Sequence, residues 1–239
     1  MDQEQARRHM VTNDLARHGV HDPLVLAAMG KVERERFVPP DLRDMAYWNG
    51  PLPIGRGQTI SQPYIVALMT EALQLKGGEH VLEVGAGSGY AAAILAEIAG
   101  TVLTIERVAE LADRARSVLD GLNIRNVTVI HGDGTRGHNA SAPYDAIVVT
   151  AGGPHVPRPL MDQLKIGGRL VIPIGSEESF QTLVRVTRQS QDEFREERLC
   201  EVRFVPLIGA DGWHNGTVDD QPDPDPATQP SSGRDPAGQ

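Results

Sequence analysis

Short apolar runs rich in Val and Ile recur along the middle of the chain, and longer segments with helical spacing separate them. The runs predict strands at 80–84, 102–106, 127–131, 146–150 and 169–173, with helices at 90–99, 109–119 and 159–164 between them. Two further strands are expected at about 181–188 and 199–205. Strand–helix alternation at this spacing means parallel βαβ units with helices on both faces of one sheet. The fold class expected is α/β: a Rossmann-like, doubly wound, mostly parallel seven-stranded sheet.

The two ends are patterned differently. Residues 1–60 are polar, helical and broken by prolines. One helix is expected within 3–18, and another opens at Asp22–Pro23, where Asp caps and Pro starts the first turn. "FVPPDLRDMAYWNGPLPIGRGQ", at 37–58, reads as an irregular loop long enough to be functional. Its Tyr47 and Trp48 are read as packing beneath that loop. From 209 to 239 the chain has Pro, Asp, Gly and Ser but almost no apolar side chains. Such a segment buries too little surface to offset chain entropy, so a disordered acidic tail is expected. The rest, 1–208, is expected to be one domain, with an N-terminal helical part, 1–60, and an α/β core, 61–208.

Composition narrows the function. The chain has 239 residues, 40% hydrophobic and 23% charged, enough for a full core. The net charge of −9 argues against a general nucleic-acid binder, which needs a basic stripe to neutralise phosphates. Six of the aspartates fall in 210–239 against one arginine, so the remainder is only mildly acidic. A single cysteine, Cys200, permits no internal disulfide and suits a reducing compartment. It also removes the usual zinc frameworks, and the eight histidines show no metal-ligand spacing, so no metal is expected. The start lacks the apolar run of a secretory signal, and no stretch approaches the ~20 apolar residues of a membrane span. A cytoplasmic monomer, away from membranes, is the expectation.

The richest stretch is "HVLEVGAGSGYAAAILAEIAG". An apolar strand feeds Gly85, Gly87 and Gly89, with Ala86 and Ser88 between them, and then an Ala-rich helix. Glycines there let the backbone turn sharply and approach a ligand. The dinucleotide pattern G-x-G-x-x-G is broken, because the third glycine comes one place early and position 90 is Tyr. Glu83 just before the first glycine points instead to methyltransferases that use S-adenosyl-L-methionine. Two acids extend the pattern. Glu106 ends the next strand, where an acid holds ribose hydroxyls in Rossmann-like sheets, and Asp133 with Gly134 follows the third strand in "VIHGDGTRG". Each acid alone is a solvated surface charge; together they mark a ligand-binding edge.

Upstream lies "RGQTISQPYIVALMTEAL", where Ser61 precedes Gln62 and Pro63. On local pattern alone Ser61 is a helix cap. "TISQPYIVALMTEAL", "VLEVGAGSGY", "HGDG", "YDAIVVTAG" and "VRFVPL" resemble, in order and spacing, the protein-L-isoaspartate O-methyltransferase family, over about residues 7–207. The glycine motif is common to many methyltransferases; the Ser61 segment and "VRFVPL" are more specific. The resemblance implies the class I methyltransferase fold with an altered order of the last two strands, and S-adenosyl-L-methionine as methyl donor. It implies methylation of the free α-carboxylate of L-isoaspartyl residues in damaged peptides and proteins, which starts repair through a succinimide. It further implies Ser61 as the active-site hydroxyl beside the acceptor. Gly85 to Gly89 would then wrap the methionine part, with Glu106 on the ribose and Asp133 and Gly134 on the adenine side. Thr59, Ile60, Arg203, Val205 and Pro206 would lie near the peptide. Two other functions stay open: a related methyltransferase acting on an Asp carboxylate of a dedicated peptide partner, and a cofactor-binding module without catalysis.

Overall fold

The structure is a computed structural model that describes residues 2–176 and 180–214. Its centre is a seven-stranded sheet in the order β5-β4-β3-β6-β7-β8-β9. The strands are β3 (His80–Val84), β4 (Thr101–Glu106), β5 (Val127–His131), β6 (Tyr144–Val149), β7 (Leu164–Ile174), β8 (Gln181–Arg188) and β9 (Phe194–Val202). The first five pair in parallel; β8 pairs antiparallel with β7, and β9 with β8. The last two strands therefore follow chain order to the sheet edge. Alternation along β3 explains the layering. Val81 packs into one core and Leu82 into the other, so both faces are covered and every residue after His80 is buried.

The helices are α1 (Gln3–His9), α2 (Pro23–Lys31), α3 (Pro63–Ala72), α4 (Tyr90–Ala96), α5 (Ala109–Gly121) and α6 (Arg158–Asp162). Asp22 caps α2 as expected, accepting from the Leu24 and Val25 N–H groups. α4 ends three residues before the expected boundary. There the chain turns into β4 at Gly100, where an added side chain would run into the Gly78 backbone.

Several expectations need correction: Trp48 is 56% exposed rather than packed beneath the loop, and β7 starts at Leu164 rather than 169. Part of the loop at 37–58 is a hairpin, β1 (Leu52–Gly55) against β2 (Gln58–Ile60). Pro51 and Pro53 disguise it, since proline argues against a strand except at an edge, and this short ribbon is all edge. β9 starts near 194 rather than 199. Its "FREER" half is charged and mostly outward-facing, as suits the last strand of an open sheet. Hydrogen-bonded structure also continues beyond 208. The indole Nε1 of Trp213 donates to the Gly152 carbonyl (3.0 Å) and the Ala210 N–H donates to the Asp133 carboxylate (2.8 Å). The remainder of the expected tail, 215–239, lies outside the described residues.

Candidate active site

In this strand order the chain crosses to one side of β3 through β4 and to the other through β6. The carboxyl ends of β3 and β6 therefore flank a topological switch point, where open α/β sheets bind ligands. A cavity of about 430 Å³ opens there, in the size range of small-molecule sites.

Its floor is the turn from β3 into α4. Gly85 has φ +99° and Gly87 φ +53°. A side chain at Gly85 would collide with the Thr150 hydroxyl, which donates to the Val84 (3.0 Å) and Gly85 (2.6 Å) carbonyls. Glu106, 7% exposed at the end of β4, organises the turn from the far side. One carboxylate oxygen accepts the Gly87 N–H (2.8 Å) and the other accepts the Val108 N–H (2.9 Å). Each oxygen keeps a lone pair, which suits a vicinal diol such as a ribose. Gly89 serves packing instead. An added Cβ there would sit 3.3 Å from the Ala115 Cβ, so its smallness lets α4 and α5 approach.

Over this floor lies the hairpin. An added side chain at Gly87 would touch the Ile54 Cδ1 at 3.4 Å, so β1 rests on the glycine turn. The Arg114 guanidinium on α5 donates to the Ile54 carbonyl, and Arg56 in the hairpin turn pairs with Glu110. β2 then delivers Thr59, Ile60 and Ser61 to the cavity wall. Ser61 does not cap α3. The cap position belongs to Gln62, which makes no side-chain cap bond; the Tyr64 N–H turns to the Asn49 Oδ1 (3.3 Å). Among the described residues the Ser61 hydroxyl has no hydrogen-bond partner.

Most expected site residues meet here. Thr59, Ile60, Ser61, Gly85, Ala86, Gly87, Ser88, Glu106, Gly134, Val205 and Pro206 line the cavity. Four expected contacts do not: Glu83, Gly89, Asp133 and Arg203. Glu83 is fully buried inside the sheet, paired across the strands with Thr104, whose hydroxyl donates to it (2.5 Å). Burial pushes its carboxyl up to about 8; the Thr104 bond opposes this, and nearby Glu106 adds to it. One of its oxygens is buried without a hydrogen-bond partner. The Asp133 carboxylate is taken by the Thr135 N–H (2.9 Å), the Thr135 hydroxyl (2.7 Å) and the Ala210 N–H. Partial burial raises its pKa, but these bonds outweigh that and hold it below the usual carboxylate range. Asp133 thus clamps the segment after Ile208 beside the cavity. Thr150, Ala151, Tyr90 and Val108 also line the cavity and were not anticipated from the sequence. Thr150 had a signal, being the first residue past the fourth parallel strand.

The glycine turn, the acid ending β4 and the cavity at the switch point fit an adenosine-bearing ligand, and with this sheet they define a class I methyltransferase. A solved protein-L-isoaspartate O-methyltransferase superposes with a TM-score of 0.76 at 29% identity, covering 86% of this chain and 66% of that one. A second, from Plasmodium falciparum in complex with S-adenosyl-L-homocysteine, gives 0.73 at 27% identity, covering 87% and 99%. The chain belongs to the protein-L-isoaspartate(D-aspartate) O-methyltransferase family, whose profile matches residues 5–212. It is 63% identical over 207 residues to protein-L-isoaspartate O-methyltransferase 1 of Rhodopseudomonas palustris strain HaA2, covering 87% of this chain and 84% of the relative. It is 59% identical over 215 residues to the enzyme of strain CGA009, covering 90% and 96%. S-adenosyl-L-methionine is the cofactor, and isoaspartyl O-methylation is favoured over action on a dedicated peptide partner. No helix among the described residues is long and apolar enough to cross a membrane.

Proposed function

We propose that Ser61 holds the acceptor, the free α-carboxylate of an L-isoaspartyl residue in a damaged peptide or protein, against a cofactor seated on the edge from Gly85 to Glu106. The observation that carries this is the Ser61 hydroxyl, which lines the same cavity as the glycine turn and makes no bond of its own. When bound, the cofactor supplies an electrophilic methyl group on a sulfonium centre. A free carboxyl group of this kind titrates near ~4, so the acceptor is ionised at neutral pH and no general base is needed. Opposite charges cancel as the oxygen attacks, and a site drier than water favours that. Val66, Met69, Val148 and Leu207 supply the apolar walls.

The residues then act chiefly by alignment, which in principle supplies on the order of 7–11 kcal/mol. Ser61 fixes one carboxylate oxygen with a neutral donor. A cation there would bind the acceptor more tightly but stabilise its ground state as well. Glu106 takes the ribose, the turn from Gly85 to Ser88 takes the methionine part, and Gly134 borders the adenine side, with Asp133 holding that loop in place. Thr59, Ile60, Val205 and Pro206 face the peptide. In the methyl ester formed, the neighbouring backbone nitrogen attacks the ester carbonyl and the C–O bond to the methoxy group breaks; methanol leaves with the amide proton to give a succinimide, which water opens partly to aspartate. The protein acts as a cytoplasmic monomer on isoaspartyl proteins, with no nucleic-acid partner. Ser61→Ala tests the site: kcat should fall about 10²-fold, the cost of losing one aligned donor, with cofactor Kd unchanged. Wild-type kcat would remove Ser61 from the chemistry.

A further inference from the structure

Behind Ser61 sits a charge that packing alone does not explain. Arg34, in the turn after α2, is 0% exposed, the largest fully buried side chain among the described residues. Its Nε donates to the Ala46 carbonyl (2.7 Å) and its Nη2 to the Ser61 carbonyl (2.8 Å). The guanidinium carbon lies 4.7 Å from the centroid of the Tyr90 ring, and Tyr90 lines the cavity. Nη1 has no hydrogen-bond partner, and no carboxylate among the described residues forms an ion pair with the group. Burial draws its pKa down to about 10, opposed by the two tyrosines beside it, so it stays charged at neutral pH.

An unpaired buried cation costs several kcal/mol in desolvation, and an apolar side chain of similar volume would fill the space without that cost. What such a side chain lacks is two diverging donors. The planar guanidinium reaches two carbonyls in different segments at once, which an ammonium on a flexible stem does poorly. One carbonyl belongs to the turn after Met45, the other to the residue proposed to hold the acceptor. Fixing the Ser61 carbonyl fixes the plane of the Ser61–Gln62 peptide, because that unit is planar and trans. The Gln62 N–H then points away from Arg34, and the direction in which Ser61 carries its hydroxyl is restricted.

We infer that Arg34 is the positioning residue of the acceptor site: it holds the Ser61 carbonyl and so sets the aim of the Ser61 hydroxyl at the substrate carboxylate. The inference rests on Ser61 being the acceptor-side hydroxyl. It is tested with the full chain and four variants: Arg34→Met, Arg34→Lys, Ser61→Ala, and Arg34→Met with Ser61→Ala. Each is measured for Tm, for S-adenosyl-L-homocysteine Kd, and for kcat and KM on an isoaspartyl peptide. Arg34→Met should lower kcat on the order of 100-fold, the cost of a misplacement of about 1 Å, and leave Kd within about twofold. Arg34→Lys, which keeps the charge and one bond, should fall between it and the parent. The double variant should be no slower than Ser61→Ala, because both changes remove one alignment. If Arg34→Met does not fold, Arg34→Lys carries the test: unchanged kcat overturns the inference, and reduced kcat with unchanged Kd supports it. Multiplying losses in the double variant, or a Kd that weakens in step with kcat, would overturn it by assigning Arg34 to general packing. An impaired Ser61→Ala beside a fully active Arg34→Met removes the inference alone. A fully active Ser61→Ala removes the Ser61 assignment, and the inference with it.

Discussion

The two walls of the cavity are built by opposite means. The cofactor edge is local: Gly85, Gly87 and Glu106 sit at the ends of neighbouring parallel strands, and the sheet register brings them together. The arm that carries Ser61, proposed to hold the acceptor, has no strand of the main sheet under it. It is a two-stranded ribbon held by Arg34 on the Ser61 carbonyl, Arg114 on the Ile54 carbonyl and Arg56 on Glu110. A rigid edge suits a cofactor that is the same in every turnover. An arm tied by a few long side chains suits an acceptor embedded in many different peptides. The contrast predicts that damage to each wall reports in a different constant.

The largest effect is expected at the edge. Gly85→Val would place a branched side chain at φ +99° against the Thr150 hydroxyl. Backbone strain alone costs on the order of 1–3 kcal/mol before the collision is counted. Calorimetry should find cofactor binding abolished, with a lower Tm. Glu106→Ala comes next. It leaves two N–H groups unpaired and removes the proposed ribose acceptor, so Kd should weaken about 10- to 100-fold, at ~1.5–3 kcal/mol for a bond to a charged group. Arg114→Ala should act on the arm alone, raising KM for the isoaspartyl peptide several-fold while titration finds cofactor Kd within about twofold. Equal damage to both constants would break the division between the walls.

How far these walls were legible in the sequence follows the same division. Every strand of the main sheet was anticipated, because apolar runs between turn signals are local facts. The glycine turn and Glu106 were found for the same reason. The arm was harder. Pro51 and Pro53 hid the hairpin, and nothing near Ser61 in sequence reveals that Arg34, 27 residues upstream, binds its carbonyl. Two acids were placed too simply. Glu83 alternates into a fully buried face of β3, and Asp133 turns to a segment 77 residues later, a contact that no motif around "HGDG" announces. Trp213 was assigned to a tail because its neighbours are polar; the indole bond to Gly152 is a tertiary fact.

The smallest expected effect sharpens the account of the edge itself. Glu83 is pushed up to about 8 by burial, from an ordinary 4.5. The folded state therefore keeps a proton that the unfolded chain has released. Stability from this site is full below pH 4.5 and declines as pH rises through about 8. Glu83→Gln removes that decline, so Tm measured from pH 5 to 9 should fall less steeply in the variant than in the parent. Parallel curves would mean that Glu83 is ionised in the fold.

The central claim, that this cavity brings an isoaspartyl carboxylate to the methyl donor, is tested most directly with two peptides that differ only in Asp against isoAsp. Each is incubated with the full chain and S-adenosyl-L-methionine labelled in its methyl group. The account predicts base-labile label on the isoAsp peptide alone, lost in step with kcat in Ser61→Ala. Label on both peptides, or on neither while the cofactor binds, would contradict it.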